Sequence, residues 1–157
     1  MDRNMRDLLV ARYKDGYRVV AAALEGATDA ELDARPGPGK WTAREIVHHL
    51  ADSEMTSAVR LRLLVAEEHA QIRPYDQDLF ARTLHYDRPI STSMLAFEAA
   101  RLSNGELLDR LSEAQWSKTG THAEHGRFDV DRWLEIYAAH AHKHADQIKR
   151  ARASAGK

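Results

Sequence analysis

The last long segment of the chain constrains the fold most strongly, because its apolar side chains recur at the spacing of one helix face. Trp133, Tyr137 and Ile148 belong to that face, and His140 and His144 occupy positions inside it where leucine would be expected. A buried imidazole needs a partner for its ring nitrogens, because burying them unpaired is costly. Two core histidines one turn apart can share a partner, and a divalent metal ion suits both.

The spacing of the two histidines is weak evidence by itself, because the chain holds 9 histidines among 157 residues. Their position in the core-facing stripe is what gives the pattern its meaning. Two interpretations stay open at this point: a shared metal ion, or two core histidines that are hydrogen-bonded separately. A third ligand elsewhere in the chain would favour the metal.

Three further segments show the periodicity of amphipathic helices. The first spans residues 2–24, the second runs from a capping box at Thr42 toward residue 69, and the third is capped by Ser91 or Ser93. No segment alternates in the way that a half-buried strand would, and a β excursion stays open only for the polar residues 117–128. The pattern therefore predicts an all-α four-helix bundle with short extra helical turns in its connections.

Composition limits the classes of partner and ligand. The net charge of −1 argues against nucleic acid or a membrane surface as the main partner, and residues 1–157 suit a single domain with a small-molecule substrate. Because the chain has no cysteine, histidine or carboxylate must hold any metal. The charged N-terminus and the lack of a long apolar run predict a cytoplasmic location.

The second helix offers a third ligand. His49 lies on a polar flank of the apolar stripe that continues as far as Arg60, whereas His48 points about a quarter-turn further away. If the second and fourth helices are neighbours, His49 can meet His140 and His144. Three histidines with an open fourth position are typical of a catalytic rather than a structural zinc site.

The other ionisable residues near these motifs are predicted to be exposed. Asp52 is expected at the surface, with a role behind His49 as the alternative. The same expectation covers the histidines outside the cluster of three, which are His48, His69, His85, His122, His125 and His142.

Three motifs in order carry a resemblance to a known family. Residues 41–53 (WTAREIVHHLADS) resemble the N-terminal motif of the DinB-like superfamily, and residues 72–76 (IRPYD) resemble a segment of its YfiT-like branch. Residues 140–148 (HAHKHADQI) resemble the last-helix motif of the superfamily. The YfiT-like branch comprises metal-dependent hydrolases and thiol S-transferases, and the resemblance covers nearly the whole chain.

The resemblance implies a four-helix bundle that binds Zn or Ni through His49, His140 and His144, commonly as a homodimer. Activities in the superfamily include the transfer of low-molecular-weight thiols. We therefore expect an enzyme that activates water or a small thiol for attack on an electrophilic small molecule. The alternatives are a non-catalytic, metal-stabilised bundle and a stress protein that binds a small molecule.

Beyond the predicted ligands, the candidates for a catalytic role are Arg60, Tyr75 and Asp76. Arg60 is suited either to hold an anionic group of the substrate or to pair with a surface carboxylate. Tyr75 and Asp76, with Arg73, are expected at the mouth of the site, and Asp76 is at least as well suited to forming a turn. Gln147 is a candidate for hydrogen bonding to a ligand or substrate.

Overall fold

A computed structural model describes residues 1–156. The helices are α1 (Arg3–Leu24), α2 (Asp29–Asp33), α3 (Ala43–Ala66), α4 (Gln77–Thr83), α5 (Ser91–Leu108), α6 (Glu113–Trp116) and α7 (Val130–Arg152). The four long helices α1, α3, α5 and α7 form the bundle, and the three short helices lie in the connections. The prediction of a four-helix bundle is confirmed.

The two helices that carry the candidate ligands begin at strong caps. At the start of α3, Thr42 Oγ1 accepts from the Glu45 amide at 3.2 Å, and the Glu45 carboxylate accepts from the Thr42 amide at 2.7 Å. At the start of α7, an Asp129 carboxylate oxygen accepts from the Arg132 amide at 2.9 Å. These caps determine where each helix begins. The prediction for α5 is wrong, because its N-cap is Ile90 and no side chain caps it.

Helix α7 packs along α1 and also against α3, which in turn contacts α5. The adjacency of α3 and α7 is the condition under which their histidines can meet. Apolar side chains form two core clusters, one around Tyr13 and Trp133 and the other around Leu50 and Ile148. No helix within residues 1–156 has the length and apolar character needed to cross a membrane.

The β excursion left open for residues 117–128 is present, whereas a strand at residues 70–72 was not expected. Strands β1 (Ala70–Ile72), β2 (Thr119–His122) and β3 (Gly126–Asp129) form one sheet, with β1 parallel to β2 and β2 antiparallel to β3. Strands of three or four residues are too short to show an alternating pattern. Gly120 allows the close pairing, because a Cβ there would lie 2.5 Å from the Ala70 carbonyl oxygen.

A buried ion pair joins α3 to α5 inside the bundle. Arg101 Nη1 donates to Glu54 Oε2 at 2.6 Å, and both side chains are almost fully buried. Tyr13 donates its hydroxyl to the other Glu54 oxygen, while Arg101 Nε donates to the Tyr13 carbonyl and Asn104 Nδ2 to the Tyr13 hydroxyl. Gly16 gives the guanidinium room, because a Cβ there would lie 2.5 Å from Arg101 Nη2. Sequence reasoning missed this network.

Candidate metal centre

Three histidine side chains from α3 and α7 converge inside the bundle. His140 Nε2 lies 3.3 Å from His49 Nε2 and 3.1 Å from His144 Nε2, and one ligand nitrogen from each lies within 4.8 Å of the others. Two nitrogens bound to a tetrahedral zinc at about 2.0–2.1 Å lie about 3.3 Å apart. The three nitrogens are therefore spaced as ligands of one metal ion.

Hydrogen bonding among the three rings cannot satisfy them. An imidazole nitrogen offers either one proton or one lone pair, so His140 Nε2 can form a well-directed hydrogen bond with only one of its two neighbours. The Nδ1 atoms of all three rings are buried, and none has a hydrogen-bond partner within residues 1–156. A cation would accept all three Nε2 lone pairs at once. The alternative of separately hydrogen-bonded core histidines therefore fits this geometry poorly.

Burial keeps the three imidazoles neutral. It lowers the pKa of His49 to about 3 and that of His144 to about 4, and it holds the pKa of His140 well below its usual value. The proximity of the rings to one another lowers the pKa values of His49 and His140 further. At neutral pH all three side chains can therefore offer a lone pair to a metal.

Aromatic side chains surround the cluster. The Trp41 ring lies 4.8 Å from the His49 ring, between centroids, and the Tyr137 ring meets the His140 ring edge-on at 6.0 Å. Trp41 comes directly before the cap of α3, and Tyr137 lies one turn before His140 on α7. Helices α3 and α7, which carry the histidines, therefore also determine where Trp41 and Tyr137 lie.

A pocket of about 720 Å³ opens beside His144. Its polar and aromatic lining consists of Lys40, Trp41, Gln77, Asp78, Gln147 and Arg150. Gln147 thus lies at the pocket, as its candidate role requires. The pocket brings solvent-accessible space to the His144 side chain, one of the three histidines of the cluster.

Arg60 and Tyr75 lie together on the side of the bundle where β1 leads into α4. Arg60 Nη1 donates to the Tyr137 hydroxyl at 3.0 Å and Nη2 to the Arg73 carbonyl at 2.6 Å. The guanidinium lies 5.7 Å from the centroid of the Tyr75 ring. Arg60 forms no ion pair within residues 1–156, so the expected alternative of a surface carboxylate partner is wrong.

The third candidate, Asp76, forms the turn that leads into α4. Its carboxylate caps α4 by accepting from the amides of Asp78 and Leu79, both at 2.9 Å. Tyr75, by contrast, is half-buried near Ser53 and Asp52, and burial raises the pKa of its phenol. Tyr75 therefore stays protonated at neutral pH and can donate a hydrogen bond.

The predictions that His48 and Asp52 are exposed are wrong. His48 is fully buried and donates from Nε2 to the Arg88 carbonyl at 2.9 Å, so its Nδ1 accepts from the Ser93 hydroxyl at 2.7 Å. Asp52 is 9% exposed and accepts from the Tyr86 hydroxyl at 2.7 Å. Both residues thus hold the connection between α4 and α5 against α3. Asp52 does not bond to His49, whose Nδ1 has no partner within residues 1–156.

A second histidine group lies at the β2–β3 hairpin. His122 was expected to be exposed but is only 5% exposed, with its ring stacked 4.6 Å from that of His125. His122 Nδ1 accepts from the Glu124 amide at 3.2 Å, which places the ring proton of the neutral side chain on Nε2. Although Glu124 is close enough to complete a group of three, this tautomer leaves His122 without a lone pair for a metal.

Comparisons with known proteins agree with this geometry. Residues 12–148 match the profile of the DinB superfamily. The chain belongs to the DinB superfamily. The match covers α3 and all but the end of α7, so it includes all three converging histidines.

Individual relatives in the superfamily carry hydrolase names. A protein of Oceanobacillus iheyensis named "Putative metal-dependent hydrolase" is 36% identical over 86% of this chain and 78% of its own length. A Bacillus mycoides protein of the same designation is 28% identical over 90% and 82%. The solved structure of YfiT from Bacillus subtilis, described as "a probable metal-dependent hydrolase with an unusual four-helix bundle topology", is 28% identical. It superposes with a TM-score of 0.88, covering 94% of this chain and 86% of YfiT.

Proposed function

We propose that this protein is a metal-dependent enzyme that binds Zn or Ni through His49, His140 and His144. In this proposal it uses the metal to activate water or a small thiol for attack on an electrophilic small molecule. The single observation that carries the proposal is the convergence of three neutral imidazole nitrogens at 3.1 and 3.3 Å. The names of the relatives and of YfiT support the assignment to metal-dependent hydrolases.

The donor set fits the chemistry. A divalent ion held by neutral ligands lowers the pKa of a bound water or thiol, which supplies a nucleophile near neutral pH. Three protein ligands leave a fourth position for that molecule. With no cysteine in the chain, a fourth protein ligand would have to be a carboxylate or another histidine, and no such group joins this cluster within residues 1–156.

Residues around the cluster have separate roles in the proposal. Burial keeps the three imidazoles neutral, and Trp41 shields His49 from solvent on one side. Arg60 holds the chain at Arg73 against Tyr137, which packs on His140. We assign Arg60 and Tyr75 to positioning the substrate, with the protonated Tyr75 hydroxyl as a hydrogen-bond donor.

Metal analysis of purified protein tests the ligand assignment. We expect about one divalent ion per wild-type chain, and at least a tenfold loss of metal from the His140→Ala and His144→Ala variants. The matched control is His142→Ala on the same helix, because His142 Nε2 only donates to the Arg12 carbonyl at 3.1 Å. Metal content that is the same in all four proteins would refute the site.

A substrate screen then separates the reaction classes. Turnover of a small thiol with an electrophile identifies an S-transferase, whereas turnover of amides or esters identifies a hydrolase. Turnover should be lost with the metal after chelation and restored by adding it back. A protein that retains its metal but turns over neither class would instead support a non-catalytic, metal-stabilised or small-molecule-binding bundle.

We also propose that the protein is a homodimer. Large apolar side chains are exposed on the neighbouring helices α3 and α5, where Met55 and Val59 share one face and Leu95 and Leu102 another, at 45–64% exposure. Covering such side chains with a second copy would remove them from water. Light scattering after size-exclusion chromatography should give twice the mass of one chain, and a monomer would contradict the proposal.

A further inference from the structure

The pocket beside His144 carries two cations that the rest of the described chain does not neutralise. Neither Lys40 nor Arg150 forms an ion pair or a side-chain hydrogen bond within residues 1–156. Neighbouring cations of α7 differ in this respect, because Arg152 pairs with Glu31 and Lys149 with Asp146. Lys143 of the same helix is also unpaired in the described part of the chain but lies outside the pocket, so what sets Lys40 and Arg150 apart is that both line one space beside His144.

The one carboxylate in the pocket lining is already favourably placed. Asp78 lies in the first turn of α4, where the helix dipole stabilises a negative charge. It forms no ion pair with Lys40 or Arg150. The formal charge of the pocket lining is therefore +1, on a chain whose net charge is −1.

The remaining lining groups suit an organic anion. Trp41 offers an apolar ring that rests against His49, and its indole N–H has no hydrogen-bond partner within residues 1–156. Gln147 adds an amide one helical turn from His144. A molecule with an apolar body and one anionic group would thus meet complementary surfaces between the solvent and the histidine cluster.

We propose that the substrate or thiol taken by this site carries a carboxylate or similar anionic group, which Lys40 and Arg150 bind at the pocket mouth. The proposal rests on the proposed function, because it concerns a molecule that reaches the metal through this pocket. A simpler role for Arg150 is to complement the C-terminal dipole of α7. That role would give no preference among ligands of different charge. Comparing anionic and neutral ligands therefore distinguishes anion binding from a purely helix-stabilising role.

Binding of matched thiols to the cobalt-substituted protein tests the substrate class. The probes are 3-mercaptopropionate, which is anionic, and 3-mercaptopropanol, which is neutral, and binding is followed by the thiolate-to-cobalt absorption band. We expect Lys40→Gln and Arg150→Gln each to weaken 3-mercaptopropionate about fivefold, as for partly exposed charge pairs, and to leave 3-mercaptopropanol unchanged. The control is Arg3→Gln in the first turn of α1. That turn lies beside the start of α7 and therefore at the opposite end of the bundle from His144.

The ratio of the two dissociation constants decides the result. A ratio that is the same in wild type and in the Lys40→Gln/Arg150→Gln double variant overturns the anion proposal while leaving the metal site intact. If neither thiol binds to cobalt in the wild-type protein, the proposed open coordination position is refuted instead. The anion proposal is then tested by a second measurement, which needs no metal.

That measurement is fluorescence quenching of Trp41 in the metal-free protein. Trp116 and Trp133 are 8% and 0% exposed, so a quencher in solution reports mainly on the half-buried Trp41. We expect iodide to quench about twofold less in the double variant, with quenching by neutral acrylamide unchanged. Equal iodide quenching in wild type, double variant and Arg3→Gln would overturn the anion proposal.

Discussion

Two polar clusters lie inside the same bundle, and they differ in how fully the chain satisfies them. In the Glu54–Arg101 network, both carboxylate oxygens and the guanidinium have partners from α1, α3 and α5. In the histidine cluster, three Nε2 atoms face one another and three Nδ1 atoms have no partner within residues 1–156. The first cluster is fully buried, whereas in the second His49 is buried and His140 and His144 are half-buried. Both clusters join helices that are distant in sequence.

The difference separates stability from function. A buried polar group that is fully paired holds its helices in one arrangement, and removing one partner leaves an uncompensated charge. A cluster whose Nε2 atoms cannot all be paired within the protein costs free energy, and it persists where a ligand from outside the chain binds those atoms. The ion pair is therefore a structural element, whereas the histidines have the features of the proposed metal site.

The largest effect is expected from breaking the paired cluster. Arg101→Met should lower the free energy of unfolding by about 3–5 kcal/mol, because it leaves Glu54 charged and buried without its counter-ion. Urea denaturation followed by circular dichroism measures the change. Lys14→Met is the control, since it breaks the exposed Lys14–Asp109 pair and should cost at most about 1 kcal/mol. Equal losses of unfolding free energy in the two variants would mean that the buried ion pair stabilises the fold no more than the exposed one.

A smaller effect is expected from acidifying the metal-free protein. Unfolded histidines titrate near pH 6.5, whereas folded His49 and His144 have pKa values of about 3 and 4 and that of His140 is also lowered. Between the folded and unfolded pKa values, the unfolded chain binds more protons than the folded chain. The free energy of unfolding is therefore highest above pH 6.5 and decreases as the pH falls toward the folded pKa values. His140→Leu removes one such group, so its advantage over wild type should grow as the pH falls from 7 to 5. Parallel curves for wild type and His140→Leu would contradict the prediction.

The smallest effect tests the unpaired cluster at a pH where its three histidines are neutral. At pH 8, metal-free His140→Leu should be about 1 kcal/mol more stable than wild type, because leucine removes unpartnered nitrogens from the core. Adding Zn²⁺ or Ni²⁺ should reverse the order, since only the wild type gains binding free energy in the folded state. Thermal melts with and without metal measure both changes. A variant that is less stable than metal-free wild type would mean that the histidines are satisfied without a ligand.

Much of the fold could be predicted from helix periodicity and caps. The cap at Asp129 and the capping box at Thr42 mark the starts of α7 and α3, because a side-chain oxygen that accepts from the first-turn amides leaves a local pattern in sequence. The same periodicity places His140 and His144 on the face of α7 that carries its apolar residues. Arg101 and Glu54 also occupy core positions of their helices, so two opposite charges in core stripes were an available signal for the buried pair.

The short sheet and the fate of individual polar residues could not be predicted in the same way. Strands β1 and β2 pair across about fifty residues of chain, and neither is long enough to show a period. His48 and His49 are adjacent in sequence and about 100° apart on α3, yet both are buried. Helix periodicity gives the angle between the two side chains, but it does not show which other helix or connection packs against each of them.

The sequence by itself determined which segments are helical, which faces are apolar and which polar residues interrupt those faces, because these properties depend on contacts within a few residues. Only the tertiary structure decided that α3 lies beside α7, so that His49 meets His140 and His144, while His48 meets the start of α5. It also decided that Lys40 and Arg150 line one pocket. These outcomes depend on which helices pack together, and that choice rests on contacts between residues far apart in the chain.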